Sequence, residues 1–170
     1  VLSPYLFAVY LDDIVNCLHF SQKPLIIIYA DDILIIAPSL CELQRVVHRC
    51  EQELTWLGMK LNAKKSGCIR VGPRCDAKCA AITTSDGHQI PWIKELRYLG
   101  VYIVQSRNFK GVTHEHKKAF FRSVNAIFGK IGRIAAEDVV LQLLFSKCVP
   151  VLLYGLEALP LNKSDLSSLD

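Results

Sequence analysis

Two hydrophobic periods share this 170-residue chain, and their order predicts its elements. Near the start, Phe7, Leu11, Ile14 and Leu18 recur at i, i+4, i+7 and i+11, the spacing of an amphipathic helix. Ser3 followed by Pro4 supplies an N-cap and a first-turn proline for that helix, which runs to about residue 19. After a connection at 22–24, the run Leu25-Ile26-Ile27-Ile28-Tyr29-Ala30-Asp31-Asp32-Ile33-Leu34-Ile35-Ile36 reads as a β-hairpin with Ala30, Asp31 and Asp32 at its tight turn. Ser39-x-x-Glu42 forms a capping box for a helix carrying Leu43, Val46, Val47, Leu54 and Leu57, with Gly58 as its stop. Short strands follow, two of them joined by a turn at Ser85-Asp86-Gly87-His88, and Leu96 to Val104 predicts a further strand. From about residue 110 the period is helical. Phe120, Val124, Ile127, Phe128 and Ile131 make one stripe, with Lys118, Arg122 and Arg133 on a different face. A second, more apolar helix covers roughly 137–148, and Pro150 interrupts it before Leu153. The pattern predicts an α+β chain: an antiparallel sheet with packed helices over 1–106, then a helical region over 107–170.

The carboxylates in the Ile-rich run carry the most chemistry. A strand of Ile and Leu calls for burial, yet two ionised carboxylates about 5 Å apart repel by about 3 kcal/mol at an effective dielectric of 20. A divalent cation offsets that repulsion, and hard oxygen ligands suit Mg²⁺ held by one or two carboxylates together with substrate phosphates. Metal-assisted phosphoryl or nucleotidyl transfer is the chemistry such a pair serves. The competing reading is a polar hairpin turn, since Asp is a common turn residue. Tyr10-Leu11-Asp12-Asp13 provides an internal control, because it repeats the Tyr-x-Asp-Asp order on a helix. There Asp12 and Asp13 fall away from the apolar stripe and read as solvated charges.

Composition narrows the choice. About half the residues are hydrophobic, enough to bury a core, and the formal net charge is +4. That charge is uneven: Arg107, Lys110, Lys117, Lys118, Arg122, Lys130 and Arg133 face one acid, Glu115, within 107–133. Such a segment suits a polyanionic partner, the alternative being an ordinary solvated helix face. The two most apolar stretches are broken, one by Asp31 and Asp32, the other by Gln142, Lys147, Pro150 and Glu157, so no membrane span and no membrane partner is expected. Seven cysteines without a secretory segment predict reduced thiols in an intracellular protein. Cys68, Cys75, Cys79 and His88 offer an alternative zinc set, although the paired Cys-x-x-Cys spacing is missing.

With that order of elements in place, the chain resembles the polymerase of LINE-type (non-LTR) retrotransposons. Val1-Leu2-Ser3-Pro4-Tyr5-Leu6-Phe7 is similar to the end of the family's nucleotide-site segment and the helix after it. Tyr29-Ala30-Asp31-Asp32 resembles the catalytic hairpin, and Gly58-Met59-Lys60-Leu61-Asn62-Ala63-Lys64-Lys65-Ser66 the following motif with its Asn-x-x-Lys hallmark. Arg97-Tyr98-Leu99-Gly100-Val101 resembles the primer-grip strand, and Leu153-Tyr154-Gly155-Leu156-Glu157 a recurring thumb patch.

The resemblance implies a partial polymerase palm over 1–106 and an α-helical thumb over 107–170. It implies RNA-directed DNA synthesis with Asp31 and Asp32 as catalytic metal ligands for Mg²⁺ (Mn²⁺ as substitute), and Lys65 acting at the departing pyrophosphate. Tyr98, Leu99, Gly100, Lys118, Arg122 and Arg133 are implied nucleic-acid contacts. The partners are an RNA template, a DNA primer, deoxynucleoside triphosphates, and the N-terminal fingers and palm segment of the same polymerase. Those fingers and a further metal-binding Asp of the palm would precede Val1, so the expectation is a fragment inactive alone, from a parent element that is nuclear and cytoplasmic. A non-catalytic nucleic-acid-binding remnant of such a polymerase is the alternative.

Overall fold

The computed structural model describes residues 5, 6, 9–11, 24–132 and 134–169. Ser3, Pro4, Phe7, Asp12, Asp13, Ile14, Leu18 and Arg133, on which part of the sequence reading rests, lie outside the described residues. The described chain is α+β, with helices and antiparallel hairpins. Its strands form three separate two-stranded sheets instead of one larger sheet. Packing divides the chain into two compact units, Val1–Ile69 with Asp76–Lys94 and Arg70–Cys75 with Glu95–Asp170.

In the first unit, β1 (Leu25–Tyr29) pairs antiparallel with β2 (Asp32–Ile36), and α1 (Leu40–Trp56) packs beside them. Strand alternation puts Ile26, Ile28, Ile33 and Ile35 on one face. That face packs against Val46, Cys50 and Leu54 of α1 and against Leu11, with Leu57, Met59 and Leu61 closing the cluster. Val46 is fully buried, as the helical stripe predicts. Ser39 caps α1 through its side chain, which accepts from the Glu42 N–H at 3.2 Å. The Glu42 carboxylate turns instead to Arg45, so the reciprocal half of the expected capping box is replaced by an ion pair. At the other end, the Gly58 N–H reaches the Thr55 carbonyl and the Met59 N–H the Leu54 carbonyl, a Schellman closure around the predicted stop.

The other side of α1 holds β3 (Ile82–Thr83) and β4 (Gln89–Ile90). Val47 shares a second buried cluster with Cys68, Ile82 and Ile90. The Gln44 amide pairs with the backbone of Thr83, donating to its carbonyl at 2.6 Å and accepting from its N–H at 2.9 Å, so one helix side chain stands in for a neighbouring strand. The predicted turn at 85–88 is present, and Glu51 accepts from the Ser85 N–H and hydroxyl, both at 2.8 Å.

In the second unit, the segment 96–104 is not one strand. β5 (Glu95–Tyr98) and β6 (Val101–Val104) are a hairpin, with Leu99 and Gly100 as the two turn residues. Both have positive φ, +46° and +83°, the type I′ geometry whose twist matches the flanking strands. Helix α2 (His114–Ile131) follows and buries His116, while Phe128 of the predicted apolar stripe remains half exposed. Then come α3 (Glu137–Leu143), a π-helical turn at Leu144–Cys148, α4 (Val149–Leu153), a 3₁₀ turn at Leu156–Ala158 and α5 (Lys163–Ser167).

Pro150 does not end the helical run as expected. A proline ring clashes with the carbonyl four residues back. Here the Val149 N–H bonds the Leu144 carbonyl five residues back, a wider turn that lets Pro150 enter the first turn of α4. The resulting run, Glu137–Ala158, spans 22 residues, its most apolar 18-residue stretch has a mean hydropathy of 1.9, and it is long and apolar enough to cross a membrane by length and composition. Gln142, Lys147, Pro150 and Glu157 therefore do not exclude a span on composition alone. Within this unit, α2 packs against the π turn and α4.

Burial gives Cys50 a pH signature. Desolvation, with Glu53 and Glu51 adding repulsion, pushes its thiol from the ordinary 9.0 to about 11. The folded state thus holds a proton that the unfolded chain releases, so stability is complete below pH 9 and falls as pH rises toward 11, by about 2–3 kcal/mol in full. Urea unfolding at pH 8, 10 and 11 should show this decline, and the Cys50→Ala variant should lack that part of the slope.

Candidate functional site

The hairpin register decides where the carboxylates go. Tyr29 pairs with Asp32, so the loop is the two residues Ala30 and Asp31, and Asp32 is the first residue of β2 instead of a turn residue. Because Ile33 and Ile35 face α1, alternation turns Asp32 to the opposite face of the hairpin. Both carboxyl-bearing residues are exposed. The repulsion, about 3 kcal/mol at an effective dielectric of 20, falls toward about 1 kcal/mol in bulk water. Ala30 has φ +50°, a left-handed conformation costing an L-residue about 1–2 kcal/mol, held here by five strand pairs closing on the turn.

Two hydrated carboxylates at the end of a rigid hairpin suit a hard divalent cation as part of its coordination shell. No carboxylate–cation pair involves Asp31 or Asp32 among the described residues, so no internal cation competes for them. Among the described residues no three or more His, Cys, Asp or Glu side chains gather into a metal cage, and this includes the alternative zinc set of Cys68, Cys75, Cys79 and His88. A Mg²⁺ at Asp31 and Asp32 would thus take its remaining ligands from water and a phosphate-bearing substrate, the usual habit of that ion.

Lys65 is exposed on a loop of the same unit. Met59 and Leu61 anchor the start of the loop in the cluster that supports the hairpin. Asn62 shapes the rest: its side-chain oxygen accepts from the Lys65 N–H at 3.2 Å, and its carbonyl accepts from the Lys65 and Ser66 N–H groups and the Ser66 hydroxyl. The Asn of Asn-x-x-Lys thus acts on backbone, forming the turn that presents the lysine.

The remaining predicted residues belong to the second unit. Tyr98 ends β5 half-buried, and Leu99 and Gly100 make the turn. That turn meets the predicted thumb patch, because the Tyr154 hydroxyl donates to the Leu99 carbonyl at 3.0 Å and its ring lies over Gly100. Lys118 and Arg122 are exposed one turn apart on α2, with Lys118 3.7 Å from Glu115. An exposed pair of this kind is worth little and leaves Lys118 available to a stronger anion. Sequence reasoning missed the Tyr154–Leu99 contact; both segments were visible as motifs, but only folding brings them together.

Residues 1–103 match the family described as reverse transcriptase (RNA-dependent DNA polymerase). The chain is also 27% identical over 140 residues to an uncharacterized transposon-derived protein of Caenorhabditis elegans, a match covering 80% of this chain and 49% of the relative. The chain therefore spans about half the length of that curated relative. No solved structure matches it significantly.

The strained turn predicts an asymmetric response at Ala30. Glycine tolerates positive φ, so Ala30→Gly should leave stability unchanged or raise it by up to about 1 kcal/mol. A β-branched residue there adds steric cost, and Ala30→Val should lower stability by about 1–2 kcal/mol. Urea midpoints at constant m-value check both.

Proposed function

Because the chain belongs to the reverse transcriptase (RNA-dependent DNA polymerase) family, we propose that it supplies the C-terminal palm and thumb of an RNA-directed DNA polymerase from a LINE-type, non-LTR retrotransposon. The observation that carries this reading is the exposed pair Asp31 and Asp32, offered at the end of a hairpin whose other face is fixed against α1. The transposon-derived relative supports an origin in a mobile element.

In this reading Asp31 and Asp32 would hold Mg²⁺, or Mn²⁺ in its place. A cation held there would supply positive charge that favours loss of the primer 3′-hydroxyl proton to water and neutralises the triphosphate. The hydroxyl oxygen attacks the α-phosphorus of a deoxynucleoside triphosphate, the bond to the β-phosphate oxygen breaks, and pyrophosphate leaves. Lys65 neutralises or protonates the departing pyrophosphate. The turn at Tyr98, Leu99 and Gly100 supports the primer strand, while Lys118, Arg122 and Arg133 follow the phosphates of the template–primer duplex. RNA template, DNA primer and the N-terminal fingers and palm segment of the same polymerase complete the assembly, which works in nucleus and cytoplasm.

In a polymerase assembled with those segments, Asp31→Asn should abolish primer extension and leave template binding within about twofold, whereas Asp13→Asn should change extension little. Near-normal extension by Asp31→Asn would sink the metal-ligand assignment. The 170-residue chain assayed alone with Mg²⁺ should incorporate no nucleotide in a templated way, because the pair Asp31 and Asp32 does not by itself position both reactants. Robust extension by nuclease-checked material would contradict that.

Backbone tracking makes a separate prediction for α2. Each lost phosphate contact removes about 0.7–0.9 from the log–log salt slope, so Lys118→Gln with Arg122→Gln should weaken several unrelated duplexes by similar factors and flatten that slope. Anisotropy titrations across a salt series measure both. A change confined to one sequence, or no change, would remove the electrostatic support for a thumb role.

A further inference from the structure

The second unit holds a hollow lined by residues other than the α2 cations Lys118 and Arg122. After β6 the chain leaves as a loop whose two arms are pinned: the Val104 N–H bonds the Lys110 carbonyl and the Val112 N–H the Tyr102 carbonyl, both at 3.0 Å, with Ile103 bridged to Gly111. The Ser106 hydroxyl donates to carbonyls within the loop, and the Ser106 carbonyl accepts from Gly72 at 2.9 Å. Gly111 is pressed against Leu159, where a Cβ would overlap the leucine side chain, and this approach seats Pro160 and Asn162 beside the loop. Between them is an open hollow of about 400 Å³, lined by residues 106–110 with Pro160 and Asn162. Its volume is within the range of small-ligand pockets.

The lining has a definite chemistry. Arg107 and Lys110 bring two positive charges, no carboxylate lines the hollow, and neither cation has an ion-pair partner among the described residues. Phe109 lies between them in sequence and in the same lining, with 47% of its surface exposed and so open to a ligand. Asn162 uses its side-chain oxygen and backbone N–H to cap α5 with Asp165, which leaves its amide nitrogen as a donor beside the hollow. Cations flanking an exposed ring on a pinned loop combine the two elements that hold single-stranded nucleic acid, phosphate neutralisation and a stacking face.

We propose that this hollow binds one nucleotide of a single-stranded nucleic acid, with its base on Phe109 and its phosphates at Arg107 and Lys110. The inference rests on the nucleic-acid-handling reading of the chain but names a different site and a different form of the polymer. A paired duplex keeps its bases stacked inside, so it cannot present one to Phe109. Single-stranded RNA and single-stranded DNA share the required chemistry, and the assay separates them.

The test uses the full 170-residue chain and labelled 12-nucleotide strands of uridine or thymidine, with a blunt 12-base-pair duplex as control, read by anisotropy. Phe109→Ala should weaken single strands about tenfold and leave the duplex within twofold, while Phe109→Trp, which keeps a stacking face, should retain binding. Arg107→Gln with Lys110→Gln should lower the single-strand salt slope by about 1.4. Tighter binding of uridine or thymidine strands identifies RNA or DNA as the occupant. Single-strand affinity indifferent to Phe109→Ala, or a loss shared equally by the duplex, overturns the site. The polymerase reading is judged independently, by Asp31→Asn in primer extension, so either can fail while the other stands.

Discussion

Slipping β1 by one residue against β2 would turn Ile26 and Ile28 away from α1 and carry the wrong residues into the core. The contact of those two side chains, with Ile33 and Ile35, on Val46, Cys50 and Leu54 is therefore the constraint on which the first unit depends. It selects the register, the register selects a two-residue loop, and the loop puts Asp31 at the tip with Asp32 on the outward face. Cys50 shows how dry this contact is, since its thiol keeps a proton well past its ordinary range. The same helix meets β3 with polar groups: Gln44 pairs with the half-buried backbone of Thr83, and Glu51 accepts from the exposed Ser85 beyond it.

The second unit relies on close backbone approach more than on a broad apolar core. Tyr154 seals the Leu99–Gly100 turn by donating its hydroxyl to the Leu99 carbonyl, and Leu159 packs on Gly111. Along α2 the apolar residues are only partly covered, and Val139, Leu141, Phe145 and Leu153 are exposed farther on. The charge pattern is correspondingly open: Lys118 and Arg122 stand on one helix turn, Arg107 and Lys110 on the pinned loop. These groups carry little cost in water and gain most from a polyanion, whose counterions they displace. Composition alone put positive charge in this half of the chain; the fold divides it between a pinned loop and a helix.

Reading the residues in order was enough for features governed by neighbours in the chain. The Ile-rich hairpin, the Ser39 cap and Gly58 stop of α1, the turn at 85–88 and the position of α2 follow from local periodicity and backbone preference, and the order of motifs around Tyr29-Ala30-Asp31-Asp32 carried the family. Tertiary structure decided what local rules leave degenerate. Leu99 lacks the side chain that ordinarily signals positive φ, so the bend at 99–100 is visible only once β5 and β6 pair and Tyr154 closes over them. Pro150 reads as a stop until a five-residue hydrogen-bond step makes room for its ring. Asp32 reads as a turn residue until the pairing with Tyr29 makes it the first residue of β2. In each case the deciding energy comes from groups distant in sequence, through hydrogen bonds and packing that exist only after the chain has folded.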